Sequence, residues 1–298
     1  MRQRMSWGAH APGRLSVLAA AVLFSTGGAA IKGCAFSGSQ VACLRSAIAA
    51  LTLVLFLPKT FRLPSWRQAG AAAAYACTVL LFVLANKRTT AANAIFLQSA
   101  SPLYLLLLAP WLLKERIRAR DLALAALMAV GVGLCLLGSA PVTDKALDPG
   151  LGNLLAAIAG VCWSFTLLGL RSSAQEGPHD ALAVVLLGNA LAALASAGWA
   201  FPLGSAGLGD WLGIVYLGAV QIGLAYVLLT KGVRDVPALE TSLLLLLEPV
   251  LNPVWAWLVH GEAPGPWSLA GGAVILTAVL LNTTVPYRVR GLGNNVAI

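Results

Sequence analysis

Ten mainly apolar stretches, each about 17 to 23 residues long, follow one another along the chain with only short polar breaks between them. They lie at about 15–31, 41–57, 68–85, 91–113, 120–137, 152–170, 181–201, 211–230, 238–259 and 267–283. A helix of about 20 apolar residues, within about 17 to 25, crosses the hydrocarbon core of a bilayer. The breaks carry turn and charge signals, as at Pro58-Lys59, Arg62 to Arg67, Lys114 to Asp121, Gln175 to Pro178 and Gly261 to Pro266. Water could not solvate a globule built from such segments: charged residues make up only 10% of the chain, against about 25% in soluble domains. The expected fold is therefore an all-α integral membrane protein with ten transmembrane helices. A membrane β-barrel would show alternating apolar and polar residues instead of long apolar runs.

The net charge of +9 follows from 20 Lys and Arg against 11 Asp and Glu. The charges form no stripe or tail that a nucleic acid would recognise; they occupy the gaps between apolar runs. With the amino terminus placed in the cytoplasm, fifteen basic residues fall on the inner side and four (Lys32, Lys87, Arg88 and Lys145) on the outer, with Arg45 inside the second helix. The positive-inside rule then places both termini in the cytoplasm and favours an even number of spans. A bacterial cytoplasmic (inner) membrane is the expected location. The first helix has features of a signal peptide, with Arg2, Arg4 and Arg14 ahead of Leu15–Phe24. We keep it in the mature chain because the repeat described next needs it. Most of the five cysteines lie inside apolar runs and read as small buried hydrophobes; Cys34 and Cys43 flank one outer loop, as a disulfide or as separate thiols.

Sliding the sequence by 147 residues superposes Ser101-Pro102 on Glu248-Pro249, Glu115 on Glu262 and Leu97 on Leu244. A similar shift brings Phe24-Ser25 onto Trp163-Ser164. Helices 1–5 and 6–10 thus read as copies. Because five is odd, the second copy enters the membrane from the opposite side, giving two inverted five-helix repeats (5+5) around a central cavity. The expected organisation is a first repeat over 1–138, a linker over 139–151, a second repeat over 152–285 and a cytoplasmic tail over 286–298. Inverted repeats are characteristic of transporters, in which exchanging the conformations of two pseudo-symmetric halves converts an outward cavity into an inward one.

Enzyme chemistry finds little support. The histidines are His10, His179 and His260, all near helix ends or a terminus, and there is no HExxH, no GxxxxGK[ST] and no clustered metal-ligand set. No cofactor, metal or ATP-binding motif is expected. What the chain does contain is a set of polar and aromatic residues at one estimated depth, near the membrane midplane. These are Phe24 and Ser25 on helix 1, Tyr75 and Thr78 on helix 3, Gln98 and Ser101 on helix 4, Trp163 and Ser164 on helix 6, Gln221 on helix 8 and Glu248 on helix 9. Each alone reads equally as packing or as a hydroxyl bonded to its own helix; their coincidence from both halves points to a substrate site. Glu248 stands out because a carboxylate at this depth is costly unless paired or protonated. It reads as an ammonium acceptor, a proton carrier or a partner of backbone freed by Pro249. Arg45 reads as a snorkelling contact, a salt bridge or a contact for a substrate carboxylate.

The order of these motifs resembles the EamA family of ten-helix transporters in the drug/metabolite transporter superfamily. Phe24-Ser25 and Trp163-Ser164 are similar to the family's Trp-Gly signature, and Ala42-Cys43-Leu44-Arg45 to its Leu-Arg-Phe motif. Ser101-Pro102 with Glu115, and Glu248-Pro249 with Glu262, resemble its closing Pro…Glu pattern. The chain departs from it in having Phe24 in place of Trp, no Phe after Arg45 and no matching Arg in helix 7. The resemblance covers about residues 12 to 285 and implies a basket of ten helices that exports amino acids or other small metabolites, with the bacterial amino-acid exporters as the most similar branch.

The expected function is export of small metabolites, amino acids above all (aromatic or otherwise apolar), by alternating access. Gln98, Gln221, Ser25 and Ser164 would donate to a carboxylate, Glu248 would accept an ammonium, and Phe24, Tyr75 and Trp163 would contact an apolar side chain. The expected partners are that small molecule and the lipid bilayer. Export of drugs or other metabolites by the same fold, and a membrane-embedded enzyme, are the alternatives.

Overall fold

The structure, a computed structural model, describes residues 11–60, 64–104, 119–137, 146–177, 179–236, 241 and 244–283. Among these the chain is all-α. In order, the helices are α1 (Ala11–Ser25), α2 (Gly27–Gly33), α3 (Gly38–Phe56), α4 (Trp66–Asn86), α5 (Ala91–Ser99), α6 (Ala119–Leu137), α7 (Pro149–Glu176), α8 (Asp180–Ala200) and α9 (Leu208–Val215), followed by a π-helical segment (Tyr216–Leu224), α10 (Ala225–Asp235), α11 (Leu247–His260) and α12 (Pro266–Thr283).

Among the described residues six rods are long and apolar enough to cross a membrane: Ala11–Gly33, Gly38–Phe56, Trp66–Asn86, Pro149–Ala174, Asp180–Ala200 and Leu208–Gly232. Leu122–Leu137 and Pro266–Leu281 are shorter apolar helices. The runs expected at 91–113 and 238–259 are described in part, because residues 105–118, 237–240 and 242–243 lie outside the described residues. Both runs are interrupted where they can be seen. The helix of α5 turns at Ala100 and resumes over 101–104, and α11 begins after a turn at Leu246. Each turn sits just ahead of a proline, Pro102 or Pro249, whose ring and missing N–H weaken the preceding helical turn.

Local sequence sets the helix ends. Ser37 with Gln40, and Ser65 with Gln68, form reciprocal capping boxes at α3 and α4, satisfying backbone N–H groups that no preceding turn can reach. Thr90 accepts from Asn93 N at α5, Asp148 from Leu151 N at α7, and Gly261, at φ 65°, closes α11 in the left-handed region.

Bonds between loops divide them between two ends. At one end Lys32 pairs with Glu262 at 2.8 Å and donates to Thr89 O at 2.8 Å. Here too Lys87 donates to Cys34 O at 2.6 Å, Ala35 N to Asp210 Oδ1 at 2.7 Å, Ser39 to Trp199 O at 2.9 Å and Asp148 N to Arg88 O at 3.1 Å. At the other end Gln68 Nε2 donates to Glu176 at 3.0 Å and Asp180 at 3.1 Å. Successive rods therefore run in alternating directions, as a multi-pass membrane bundle requires. The large apolar side chains left exposed, Phe56, Leu137, Trp66 and Trp199 among them, face outward. In water such a surface would associate; in a bilayer it is solvated, with Trp66 and Trp199 at helix ends suited to the two interfaces.

Inside the bundle α1 packs on α10, α3 on α8 and the π segment, α4 on α7 and α8, α5 on α7 and α11, and α6 on α12. Small residues allow this. A Cβ at Gly271 would lie 2.5 Å from Gly131 O, and one at Gly131 would lie 2.9 Å from Gly271 O, so α6 and α12 cross backbone to backbone.

Candidate functional site

The first rod is interrupted at Thr26, whose hydroxyl bonds back to Leu23 O at 2.7 Å, ahead of Gly27-Gly28. The two glycines answer to close neighbours. A Cβ at Gly27 would stand 2.8 Å from Gln221 Nε2, and one at Gly28 would stand 2.6 Å from Asn252 Oδ1. Three consecutive residues at the break are held from other rods. Gln221 Nε2 donates to Phe24 O at 3.3 Å, Trp255 Nε1 donates to Ser25 Oγ at 2.9 Å, and the hydroxyls of Thr26 and Tyr216 meet at 2.7 Å.

The π segment makes that convergence geometric. Tyr216, Gln221 and Tyr226 are spaced by five, which in an α-helix turns successive side chains about 140° apart. The wider i→i+5 turn of Tyr216–Leu224 reduces that angle, so all three meet α1, Tyr226 through an edge-on contact with Phe24 at 5.0 Å. Tyr226 also contacts Tyr75 edge-on at 5.6 Å. Tyr75 is wholly buried, and its hydroxyl accepts from Asn189 Nδ2 at 3.0 Å. Rings and amides from α1, α4, α8 and the Tyr216–Asp235 rod thus form one polar and aromatic cluster.

Arg45, on α3, lies within electrostatic range of both tyrosines. It is only 2% exposed, and neither its Nε nor its Nη1 has a hydrogen-bond partner. The snorkelling reading is therefore excluded for this residue.

A second, smaller group forms around α7. Ser164 Oγ lies 2.8 Å from Ser101 O and 3.0 Å from Gly160 O, and the hydroxyls of Thr78 and Thr166 meet at 3.3 Å. Gly160 permits it, since a Cβ there would crowd Tyr104 at 2.5 Å and the carbonyls of Leu97 and Gln98 at 3.1 Å. Thr78 lies one turn from Tyr75 on α4, so that helix joins the two groups.

Seven of the ten sequence-derived site residues are thereby engaged: Phe24, Ser25, Tyr75 and Gln221 in the larger group, Thr78, Ser101 and Ser164 in the smaller. Ser25 and Ser164 bond the carbonyls of Val22 and of Ser101 and Gly160, so in this arrangement their hydroxyls serve backbone positioning. Gln98 and Trp163 are half-buried and, among the described residues, make no hydrogen bond or ring contact. Glu248 is half-buried in the first turn of α11, has no hydrogen-bond partner among the described residues and acts electrostatically on Tyr226. A helix amino terminus favours negative charge there.

Sequence reasoning passed over Asn189, Tyr216, Trp255 and the burial of Arg45. Asn189 was detectable as a lone amide inside an apolar run, whereas Tyr216 and Trp255 sit near span ends where such rings ordinarily mark the interface. Asn252, fully buried with both amide atoms unpartnered, packs against Gly28.

A groove of about 340 Å³ opens near the Lys32 end, lined by Thr26, Gly33, Cys34, Gly213, Trp255 and His260, and so shares Thr26 and Trp255 with the larger group. Around it burial pushes the Cys34 thiol up and the Lys87 ammonium down from their ordinary values. His260 Nε2 lies 2.8 Å from Ala29 O. Among the described residues no group of three His, Cys, Asp or Glu is placed to hold a metal ion.

Comparison with known proteins agrees with this architecture. The EamA-like transporter family matches residues 11–137 and 150–284. An "uncharacterized transporter" of Archaeoglobus fulgidus is 24% identical over 269 residues, covering 90% of this chain and 95% of that protein. The "uncharacterized transporter YyaM" of Bacillus subtilis is 22% identical over 67% of each chain. A solved crystal structure aligns with a TM-score of 0.62 at 22% identity, covering 92% of this chain and 98% of the other, which speaks for the fold alone.

Proposed function

The chain belongs to the EamA-like transporter family, and from that we propose that it exports small zwitterionic metabolites, amino acids foremost, by alternating access. The observation that carries the reading is the meeting of Phe24, Tyr75 and Tyr226 beside two charged groups, Arg45 and Glu248, inside the apolar bundle. An amino acid leaves water only if both its charges find partners, and an apolar side chain asks for aromatic walls. A roomy aromatic site without charge would instead suit neutral drugs.

In this proposal the helices number ten, in two inverted repeats with the organisation expected from sequence, 1–138 and 152–285. Several features support the repeat. The family matches two stretches of similar length. The turns at Ala100 and Leu246 lie 146 residues apart, one residue from the 147-residue shift. Ser25 and Ser164, equivalent in that scheme, each bond across to another rod. We place the protein in a bacterial cytoplasmic membrane with both termini inside. No step of the proposed cycle calls for an enzyme activity or a cofactor.

Rocking of one half against the other would expose the cluster alternately to each side. Glu248 accepts the substrate ammonium or carries a proton. Counterflow of the twenty amino acids in proteoliposomes containing this protein alone tests the reading; exchange of none of them rejects it. Glu248→Gln separates the roles. Loss of exchange assigns the ammonium, and loss of pH-driven net transport with exchange retained assigns the proton. Wild-type behaviour in both assays, with damage only in Glu248→Ala, leaves Glu248 a structural residue.

A further inference from the structure

A guanidinium removed from water is stable only beside a counter-charge or a full set of acceptors, because the several kcal/mol of desolvation must be offset locally. Arg45 has neither in the described structure. It lies in the interior of α3, it is 2% exposed, and its Nε and Nη1 are both buried without an acceptor. Among the described residues no carboxylate forms an ion pair with it. It is also held in place. The backbone of α3 at Arg45 is pressed against the π segment, where a Cβ at Gly218 would lie 2.7 Å from Arg45 O. The tyrosines within its electrostatic range, Tyr75 and Tyr226, are fixed by ring contacts, and Tyr75 O accepts from Asn189.

We propose that Arg45 is the anion subsite of the transport pathway and binds the carboxylate of the substrate, with the Tyr75 hydroxyl as a second donor. This rests on the amino-acid reading above and specifies which end of the molecule is recognised where. Of the four donors that sequence offered for this task, Ser25, Ser164 and Gln221 bond backbone carbonyls and Gln98 is half-buried, whereas Arg45 buries its Nε and Nη1 without an acceptor. A planar guanidinium also matches a carboxylate with two parallel N–H···O bonds, a geometry that an amide or hydroxyl does not offer. Glu248, whose charge also acts on Tyr226, remains available to the ammonium, so the two charges of a zwitterion have separate receptors.

The experiment compares L-phenylalanine with phenethylamine, which lacks the carboxylate, and with phenylalaninamide, in which it is neutral. Each is tested as a counterflow substrate and as a thermal stabiliser of the purified protein. Wild type should exchange and be stabilised by the acid alone. Arg45→Gln should lose about tenfold to a hundredfold in affinity for the acid, as expected for a charge-assisted hydrogen bond, and Arg45→Lys should recover part of it. Equal exchange or stabilisation by the amine in wild type overturns the proposal without any variant. So does wild-type selectivity in Arg45→Gln. A double variant Arg45→Gln/Glu248→Gln more stable than both single variants would identify a constitutive charge pair and also overturn it. If no amino acid is exchanged, the amino-acid reading fails separately. Arg45 is then judged by thermal stabilisation with phenylacetate, whose loss in Arg45→Gln upholds an anion subsite and whose absence in wild type rejects one.

Discussion

Lys32 and Glu262 form an ion pair at 2.8 Å although they are 230 residues apart, with side chains only 4% and 9% exposed. Glu262 also accepts from Ala91 N at 2.6 Å, and Lys32 donates to Thr89 O, so the pair ties α2, the start of α5 and the loop after α11 together. Glu262 thus holds the loop after α11 to the start of α5 and to α2.

Breaking this pair from either side should lower thermal stability in detergent, since the remaining charge stays buried. In a cycle of Lys32→Met, Glu262→Gln and both, the effects should be non-additive by about 1–3 kcal/mol. Additive losses would mean that the two side chains act independently.

Two glycines on α6 should behave oppositely. Gly131→Ala places a methyl 2.7 Å from Ile275 Cγ1 and 2.9 Å from Gly271 O, and should destabilise the protein by about 1–3 kcal/mol or prevent its purification as a single species. Gly133→Ala meets nothing within 4 Å and should be neutral or slightly stabilising, because alanine loses less entropy in a helix. Melting curves of the two variants give the comparison directly, and equal effects would disprove the close crossing.

Tyr75→Phe keeps the ring contact with Tyr226 but removes the acceptor of Asn189 Nδ2, which also donates to Val185 O at 2.9 Å. One buried N–H is left without its partner, at about 1–3 kcal/mol. Tyr75→Ala and Trp163→Ala should both reduce transport while the protein still inserts and purifies. Normal transport by both alanine variants would make these rings packing residues.

Orientation is testable with single cysteines in a cysteine-free background. Ser65→Cys should be protected from an impermeant thiol reagent added outside cells, and Ser139→Cys should react. The reverse pattern would invert the proposed topology. Ser65 caps α4, at the end where Gln68 meets Glu176 and Asp180, so its labelling reports on the loops at 57–65 and 177–179 together.

Much of this was legible residue by residue. The capping pairs Ser37-Gln40 and Ser65-Gln68 are readable because each bond spans three residues. The turns ahead of Pro102 and Pro249 are readable because proline acts on its own preceding turn. Tyr75, Phe24 and Gln221 were identified from estimated depth, which apolar run length sets well. Depth does not specify rotation, and so the bonds of Ser25 to Trp255 and of Tyr75 to Asn189 could not be read off.

A bundle of apolar helices, the approximate ends of most of them and the alternation of the loops can all be read along the chain. These properties follow from hydropathy summed along a run and from caps within one turn, both local in the chain. Folding in three dimensions is what brings Tyr216 to Thr26 across 190 residues and Trp255 to Ser25 across 230, and what buries Arg45 Nε and Nη1 without an acceptor. Each depends on how a helix is turned about its own axis, and a shift of one residue turns a side chain by about 100°. The π segment at Tyr216–Leu224 supplies such a change of register, and packing against α1 and α3, not any local pattern of residues, holds it there.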